Sequence, residues 1–284
     1  MASREELVTV FQDTEKWYQT EAELQAAVKA SIENTRLYME GDTPTLPEPR
    51  AAKAKVLVNK HKTLEAALLI RNKYPDARIA IHNFASATNP GGGVTRGSRA
   101  QEECLCRTTT LYPVLNTDEN WQRFYQFHRS RHDQRYTDAC LYTPGIVAVK
   151  TDDDVPQRMN KQDWLKLDVL TCAAPNLRPY PSNAMNASPG KSIKMTDADL
   201  LQLHEHRARH LLSVAATNGA DIVILGAFGC GAFQNKPETV AKAYAHVLPD
   251  FMHQFEVIEF AIYCTSRDMN NYVAFYNQLA KLNR

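Results

Sequence analysis

Short runs of apolar, often β-branched residues alternate with amphipathic segments along most of this chain. Lys55 to Val58, Arg78 to Phe84, Leu165 to Cys172, Asp221 to Leu225 and Val257 to Cys264 read as strands. The unbroken apolar run Ile222-Val223-Ile224-Leu225 is that of a strand buried on both faces. Thr63 to Lys73, closed by Pro75, reads as a helix. Thr196 and Asp199 have the spacing to cap a helix that continues to about Thr217 and stops at Gly219. A further helix opens near Pro237, and a last one spans Asp268 to Leu282. Strands alternating with helices predict an α/β fold with a mostly parallel sheet covered on both sides.

Ahead of this alternation, Ser3 and Glu6 have capping-box spacing, and Leu7, Val10, Phe11 and Trp17 then share a helical face. Thr20 and Glu23 repeat the signal before a second helix, expected to stop near Gly41. Thr43 to Pro49 is a proline-punctuated connector. Residues 1–50 are therefore expected to form a helical extension packed on a main domain of residues 51–284. In the middle, a helix is expected from Ala100 to Leu111, a weak helical pattern spans Asp118 to Phe127, and Gly145 to Lys150 reads as a strand. Asp152-Asp153-Asp154 reads as a solvated acidic turn rather than a metal site, and Asn176 to Ser192 as a long surface loop.

Charge narrows the function classes. Over 284 residues, 33 Lys and Arg stand against 32 Asp and Glu, a formal net charge of +1. Global charge therefore recruits neither nucleic acid nor membrane, and attraction to an anionic ligand must be local. No run of about 18 apolar residues exists to span a bilayer. The polar start Met1-Ala2-Ser3-Arg4-Glu5-Glu6 lacks the apolar segment of a secretory signal. The six cysteines form no CxxC pair, which suits reduced thiols and a cytoplasmic location.

Candidate chemistry gathers after the strand ending at Phe84. Asn89-Pro90-Gly91-Gly92-Gly93 is followed, after a seven-residue spacer, by Gln101-Glu102-Glu103. Glycines allow a tight turn and close approach to a ligand. Adjacent carboxylates offer one group for anchoring and one for proton transfer. The pairing points to a sugar–phosphate ligand and a glycosidic bond. A second glycine loop, Gly226-Ala227-Phe228-Gly229-Cys230-Gly231-Ala232-Phe233, follows the strand Asp221 to Leu225. Ligands of open α/β sheets bind beyond the carboxyl ends of the strands, so both loops are expected to line one crevice. The N–H groups at Gly226, Gly229 and Gly231, with the helix start near Pro237, suit a diphosphate. The loop lacks the Lys-Ser/Thr ending of a P-loop, which argues against nucleoside triphosphate hydrolysis.

Other candidates read as structure. His204-Glu205-His206-Arg207-Ala208 fails the zinc-protease pattern because Ala208 stands where the second histidine belongs, and His206 and His210 are expected on an exposed polar face. Cys104 and Cys106 read as small buried packers. Trp121, Phe124, Tyr125 and Phe127, with Arg123, Arg129 and Arg131, read as a core-facing helix with a charged exterior rather than a nucleic-acid surface.

The stretch Asn83 to Gly93, the spacer and Gln101-Glu102-Glu103 resemble the signature of poly(ADP-ribose) glycohydrolases, a triple glycine followed at six to eight residues by Gln-Glu-Glu. The compact microbial-type branch is the nearest likeness, and Gly226 to Phe233 is similar to that family's diphosphate-binding loop. The resemblance runs from about Val56 to the end of the chain. It implies a macrodomain fold, a three-layer α/β/α sandwich around a mixed sheet with the N-terminal helices as an accessory cap. It implies hydrolysis of the ribose–ribose O-glycosidic bonds of poly(ADP-ribose), releasing ADP-ribose, with no metal or cofactor. Glu103 then stands at the position of the catalytic acid/base. Glu102, also catalytic, and Asn89 match positions that hold ribose hydroxyls, and Gln101 supports the loop. Cys230 matters through its backbone, and Ala232 and Phe233 orient the reacting ribose. The implied partners are poly(ADP-ribose) and ADP-ribosylated proteins, with no membrane and no direct nucleic-acid binding. Two rival readings use the same loops: a non-catalytic ADP-ribose-binding module, disfavoured by the paired carboxylates, and a hydrolase of mono-ADP-ribosylated substrates.

Overall fold

The computed structural model describes residues 2–181 and 191–283. Strands β1 (Arg36–Tyr38), β2 (Lys55–Asn59), β3 (Ile79–Phe84), β4 (Cys140–Ala148), β5 (Leu165–Cys172), β6 (Ile222–Leu225) and β7 (Val257–Ala261) form one seven-stranded sheet in the order β1-β4-β5-β3-β6-β7-β2. The run from β5 to β2 is parallel; β4 pairs antiparallel with both β5 and β1. The helices are α1 (Arg4–Thr20), α2 (Ala22–Asn34), α3 (Thr63–Lys73), α4 (Gln101–Thr108), α5 (Leu111–Leu115), α6 (Asp118–Asn120), α7 (Phe127–Arg131), α8 (Asp197–Thr217), α9 (Pro237–Val247) and α10 (Asn270–Leu279).

Side-chain alternation along the central strands separates the layers. Ile79 and Ile81 of β3 and Ile222 and Ile224 of β6 pack with Phe11 of α1, Leu64 and Ile70 of α3 and Leu105 of α4. Ala80, Val223 and Leu225 face the other way, onto Leu211 and Val214 of α8, Val240 and Tyr244 of α9 and Phe275 of α10. The result is the three-layer, macrodomain-like α/β/α sandwich with a mixed, mostly parallel sheet that the sequence leads one to expect. No helix of the described residues is long and apolar enough to cross a membrane.

Several boundaries differ from the sequence-based expectation, each for a local reason. The second helix ends at Asn34, not near Gly41, because Arg36–Tyr38 pairs with Tyr142–Cys140 and adds β1 to the sheet edge. Pairing on an open edge outweighs the modest helix propensity of this stretch. Helix α4 stops at Thr108, short of Leu111, where the β-branched Thr109 and Thr110 leave the helix: Thr109 bridges to Ala148 and Thr110 Oγ1 accepts from Val147 N–H. β4 starts at Cys140, ahead of the expected Gly145, because the ladder continues through a bulge between Thr143 and Ile146. β7 ends at Ala261 rather than Cys264.

The histidine face of α8 is also different. His206 is exposed, but His210 is buried, as are His204 and Arg207. Asn176 is buried and takes the carbonyl of Gln134 at 2.8 Å, so the expected surface loop begins later. Residues 182–190 of that stretch lie outside the described residues. Asp152 is not a solvated member of its acidic turn. Its side chain is 12 % exposed, lies 4.0 Å from Lys62 Nζ at the start of α3, and burial pushes its carboxyl up to about 6. Asp153 and Asp154 are exposed, as expected.

Residues 1–50 contribute to core as well as surface. Phe11 is buried and meets the Tyr112 ring edge-on at 5.0 Å. Phe11→Ala is expected to destabilise the whole fold by about 3–5 kcal/mol in chemical denaturation; a loss below 1 kcal/mol would mean that α1 is a loose appendage. Asp152 makes a pH-dependent contribution whose sign follows from its raised folded value. Between its ordinary value and about 6 the native state keeps a proton that the unfolded chain releases, so stability falls as pH rises through that window. Asp152→Asn should remove roughly 1–3 kcal/mol of this fall, seen as a flatter plot of unfolding free energy against pH than wild type gives.

Candidate active site

β3 and β6 are hydrogen-bonded neighbours running in the same direction, Ile79 against Ile222 and Ile81 against Ile224. The chain leaves both at one edge of the sheet, so the two glycine loops rise side by side. Packing then joins them. The rings of Phe84 and Phe228 lie 5.7 Å apart, and Phe233 packs on the cluster of Ala87, Ala173 and Tyr136. The crevice is thus bordered by the segments that follow β3, β5 and β6, where the strand order switches around β3.

Helix α4 places Gln101, Glu102 and Glu103 in its first turn, after Ala100, which has no capping side chain. Each of the three fastens to a different part of the β3 loop. Gln101 Oε1 accepts from Phe84 N–H at 2.9 Å, while its Nε2 donates to the His82 carbonyl at 2.7 Å and to Thr63 Oγ1 at 3.1 Å. Glu102 accepts from Asn83 Nδ2 at 3.3 Å and from Ser86 N–H at 2.7 Å, one bond to each oxygen. Glu103 Oε1 accepts from Gly93 N–H at 2.9 Å, but Oε2 is buried with no hydrogen-bond partner among the described residues. The two adjacent glutamates therefore differ: one is committed on both oxygens, the other has a buried oxygen to spare.

Both carboxylates are almost fully withdrawn from water, Glu102 at 2 % and Glu103 at 8 % exposure. Burial pushes both up from the ordinary glutamate value. For Glu102 the charge of Glu103 adds to this; for Glu103 the Gly93 N–H and the Arg107 guanidinium hold the rise back. The N-terminal end of a helix favours the ionised form, yet desolvation wins here. His82, buried beneath the two loops, is held neutral, since burial pushes its imidazole down to about 3.

The second loop is held by Asn235, a residue that the sequence patterns did not single out. Its Nδ2 donates to the carbonyls of Pro175, Gly229 and Phe233 at 2.7, 3.2 and 3.2 Å, and its Oδ1 meets His204 Nε2 at 2.7 Å. Gly229 has φ +76°, and a Cβ there would fall 2.6 Å from Ala174 Cβ, so only glycine fits. Gly226 is pressed between Phe84 and the Ala261 carbonyl. The N–H groups of Phe228 and Cys230 are used inside the loop, on the carbonyls of Gly226 and Ala227. Among the described residues no protein group takes the N–H of Gly229, Gly231 or Ala232, and Gly231 and Ala232 are exposed at the rim. The Cys230 thiol is directed to the Phe228 carbonyl and burial pushes it far up, so it is no nucleophile.

The chain as a whole has close structural parallels. The family model of the microbial-type PARG catalytic domain matches residues 6–151. This chain belongs to that family. Poly(ADP-ribose) glycohydrolase (PARG) from Thermomonospora curvata is 26 % identical and superposes with a TM-score of 0.79 over 96 % of this chain and 99 % of its own. A second structure of that enzyme, bound to the inhibitor ADP-HPD, is 27 % identical with a TM-score of 0.78 over 96 % and 99 %. PARG from Deinococcus radiodurans in complex with ADP-ribose is 30 % identical, with a TM-score of 0.74 over 90 % of this chain and 97 % of its own. A search of curated protein sequences found no match.

In this microbial-type PARG domain Gly93, Gln101, Glu102 and Glu103 meet at the β3 loop, and Gly229 to Phe233 lie on the β6 loop beside it. Gly91 does its work below the surface, against Tyr112 and Cys106, and Gly226 lies against the sheet. Asn89 reaches the crevice with its Oδ1 bonded to Arg129, which the sequence reading assigned to a charged exterior. Phe124 and Tyr125 are core-facing as expected, on a six-residue π-helical stretch, Trp121–Gln126. Cys106 is a buried packer, and Cys104 is half-buried. Gly92 tests the geometry most directly. It has φ +56°, and a Cβ there would lie 2.5 Å from Glu103 Oε1. Gly92→Ala is expected to displace the Glu103 carboxyl and lower kcat on poly(ADP-ribose) about 10²-fold or more, and, because its φ is positive, to lower the unfolding free energy by about 1 kcal/mol or more; unchanged kcat would remove the close contact from the argument.

Proposed function

We propose that this chain hydrolyses the ribose–ribose O-glycosidic bonds of poly(ADP-ribose) and releases ADP-ribose, with the diphosphate on the main-chain amides of Gly229, Gly231 and Ala232 and the scissile linkage at Glu103. The observation that carries this reading is the Glu103 carboxyl, buried beside Gly92 and Gly93, raised in proton affinity and with one oxygen uncommitted. An ADP-ribose reader has no use for such a group. Glycoside cleavage does: the bond breaks through an oxocarbenium-like transition state, and the departing ribose oxygen needs a proton. Glu103 donates it, the C1″–O bond breaks, and the resulting carboxylate then takes a proton from the water that adds to C1″. Glu102, fixed by Asn83 and Ser86, holds ribose hydroxyls rather than exchanging protons. The bound diphosphate stabilises the developing positive charge on the sugar. Phe233, braced by Tyr136, packs against the reacting ribose with Ala232.

In this reading residues 51–284 hold every substrate contact, and residues 1–50 act as the extension that fixes the Glu103 helix. ADP-ribosylated proteins are the proposed carriers of the polymer. A reducing cytoplasmic location belongs to the same proposal, resting on cysteine spacing. Incubation with purified polymer and with singly ADP-ribosylated protein separates the readings: free ADP-ribose is expected from the polymer, release only from the singly modified protein would favour the mono-ADP-ribosyl hydrolase, and tight binding without release would leave a reader. Glu103→Gln is expected to lower turnover about 10²–10⁴-fold while ADP-ribose still binds. Since the protonated form is the acid, the wild-type rate should be high below the raised Glu103 value and fall as pH rises through it. A rate that rises with pH over that range would reassign the acid.

A further inference from the structure

The segment that leaves β5 folds back on itself and is fastened to the second glycine loop. Asn176, fully buried, is its anchor: its N–H donates to the Gln134 carbonyl at 2.8 Å and its Nδ2 to Gln134 Oε1 at 3.3 Å. Asn176 Oδ1 accepts from Arg178 Nε at 3.0 Å, and one terminal nitrogen of Arg178 donates to the Pro181 carbonyl at 2.8 Å. Leu177 N–H donates to the Phe233 carbonyl at 3.0 Å, and the Arg178 guanidinium lies over the Phe233 ring, 5.7 Å from its centre. Pro179 and Pro181 restrict the backbones of Arg178 and Tyr180 before them. Both side chains are thus presented by a stiffened loop, with little chain entropy left to lose when they meet a ligand.

The fold leaves two groups of this loop unused. Both side-chain acceptors of Arg178 are neutral oxygens, no carboxylate pairs with it among the described residues, and its second terminal nitrogen has no protein acceptor. Tyr180 is 86 % exposed, the most open of the large hydrophobic side chains described. A free guanidinium beside an open aromatic face suits a nucleotide: the cation takes phosphate and the ring takes the base. Their place says which nucleotide. In the reading above, the diphosphate of the cleaved unit rests on the amides of Gly229, Gly231 and Ala232, and the reacting ribose on Phe233. Arg178 is joined to Phe233, the ribose end of that loop. Next to the reacting ribose stands the group that departs. In poly(ADP-ribose) it is the ribose of an adjoining unit, with its own adenine and diphosphate; on a singly modified protein it is an amino-acid side chain.

We propose that Arg178 and Tyr180 form a subsite for the departing unit of the polymer, the guanidinium on its diphosphate and the phenol ring on its adenine, which favours polymer over singly modified protein. The inference rests on the hydrolase reading and deepens it by naming what recognises the leaving side of the scissile bond. Two substrates test it: purified polymer, and ADP-ribose carrying a small phenol at C1″, which keeps the cleaved unit and lacks the adjoining nucleotide. Arg178→Gln should lower kcat/KM on polymer about tenfold and Tyr180→Ala about fivefold. In both variants the loss on polymer should exceed that on the aryl glycoside about threefold or more. Tyr180→Phe, which keeps the ring, should keep most of the selectivity. Arg178→Lys, which keeps the charge without the fork, should lose about threefold on polymer and serves where Gln loosens the loop. Equal losses on the two substrates would make Arg178 a brace for Phe233 and overturn the proposal, as would wild-type rates on polymer in Arg178→Gln. The hydrolase reading fails separately, if the wild-type protein frees ADP-ribose from neither substrate. The ratio of polymer affinity to ADP-ribose affinity, measured by calorimetry in Glu103→Gln with and without Arg178→Gln, still reads the subsite in that case and should fall about tenfold; an unchanged ratio would overturn the proposal.

Discussion

Two adjacent carboxylates share a nearly water-free site at the start of α4, and most of the molecule is arranged around tolerating them. Burial of one carboxylate is expensive and burial of two is more so, unless hydrogen bonds replace the lost water. Here the replacements come from the end of β3 and its loop: Asn83 and Ser86 for Glu102, Gly93 for Glu103. Gln101 fastens the helix start to the same strand through Phe84 and His82. These donors meet the carboxylates only if the chain doubles back within a few residues, which is what the left-handed turn at Gly91 and Gly92 provides. The turn, the helix start and the strand end are one device.

That device also sets the helix dipole against the loss of solvent. A first-turn glutamate is ordinarily held ionised. Glu103 has that location and a main-chain N–H on one oxygen, yet loss of solvent dominates and its proton affinity rises. Because Glu102 accepts a bond at each oxygen and Glu103 at only one, the protein breaks the near symmetry of the pair by geometry. Burial pushes both carboxyls up, Glu102 the further, and Glu103 is the one with an oxygen to spare for another partner. Two identical side chains acquire two environments from the loops that touch them.

Much of the fold is legible wherever one local rule decides. β5 and α3 occupy the spans that pattern alone indicates, and α8 starts at the Thr196 cap that the sequence announces. Legibility fails where a distant partner decides. Arg36–Tyr38 becomes a strand because β4 offers an unpaired edge, and no feature of the tripeptide reveals that edge. Asp152 loses its solvent to the start of α3, some ninety positions earlier. His210 looks polar along α8 but turns inward. At the site, the glycine and glutamate motif stands out because backbone conformation and chemistry both act on neighbouring residues. Asn83, Asn235 and Arg129 stay hidden because each acts on a segment that only the tertiary fold brings near. The one sequence signal for Arg129 was a weakened helical pattern, and the π-helical stretch is its physical cause.

The same logic extends to α1, which a reader of the sequence would set apart from the chemistry. Arg107 lies one turn beyond Glu103, is 1 % exposed, and its charge restrains the rise of the Glu103 value. A buried guanidinium needs acceptors, and α1 supplies one directly: Arg107 Nε donates to the Leu7 carbonyl at 3.3 Å, with Ser98 taking a terminal nitrogen. Thr14 Oγ1 donates in turn to the Arg107 carbonyl at 2.6 Å, and Gly97 lies flat against the backbone of Arg4. Lys150 is anchored in the same way, to Asp13 at 2.8 Å and to the Val10 carbonyl at 2.6 Å. The first helix therefore sets where a buried positive charge sits relative to Glu103. Its contacts enter the electrostatic balance on Glu103 through Arg107, so the environment of that carboxyl and the packing of the N-terminal segment are not separable properties of this chain.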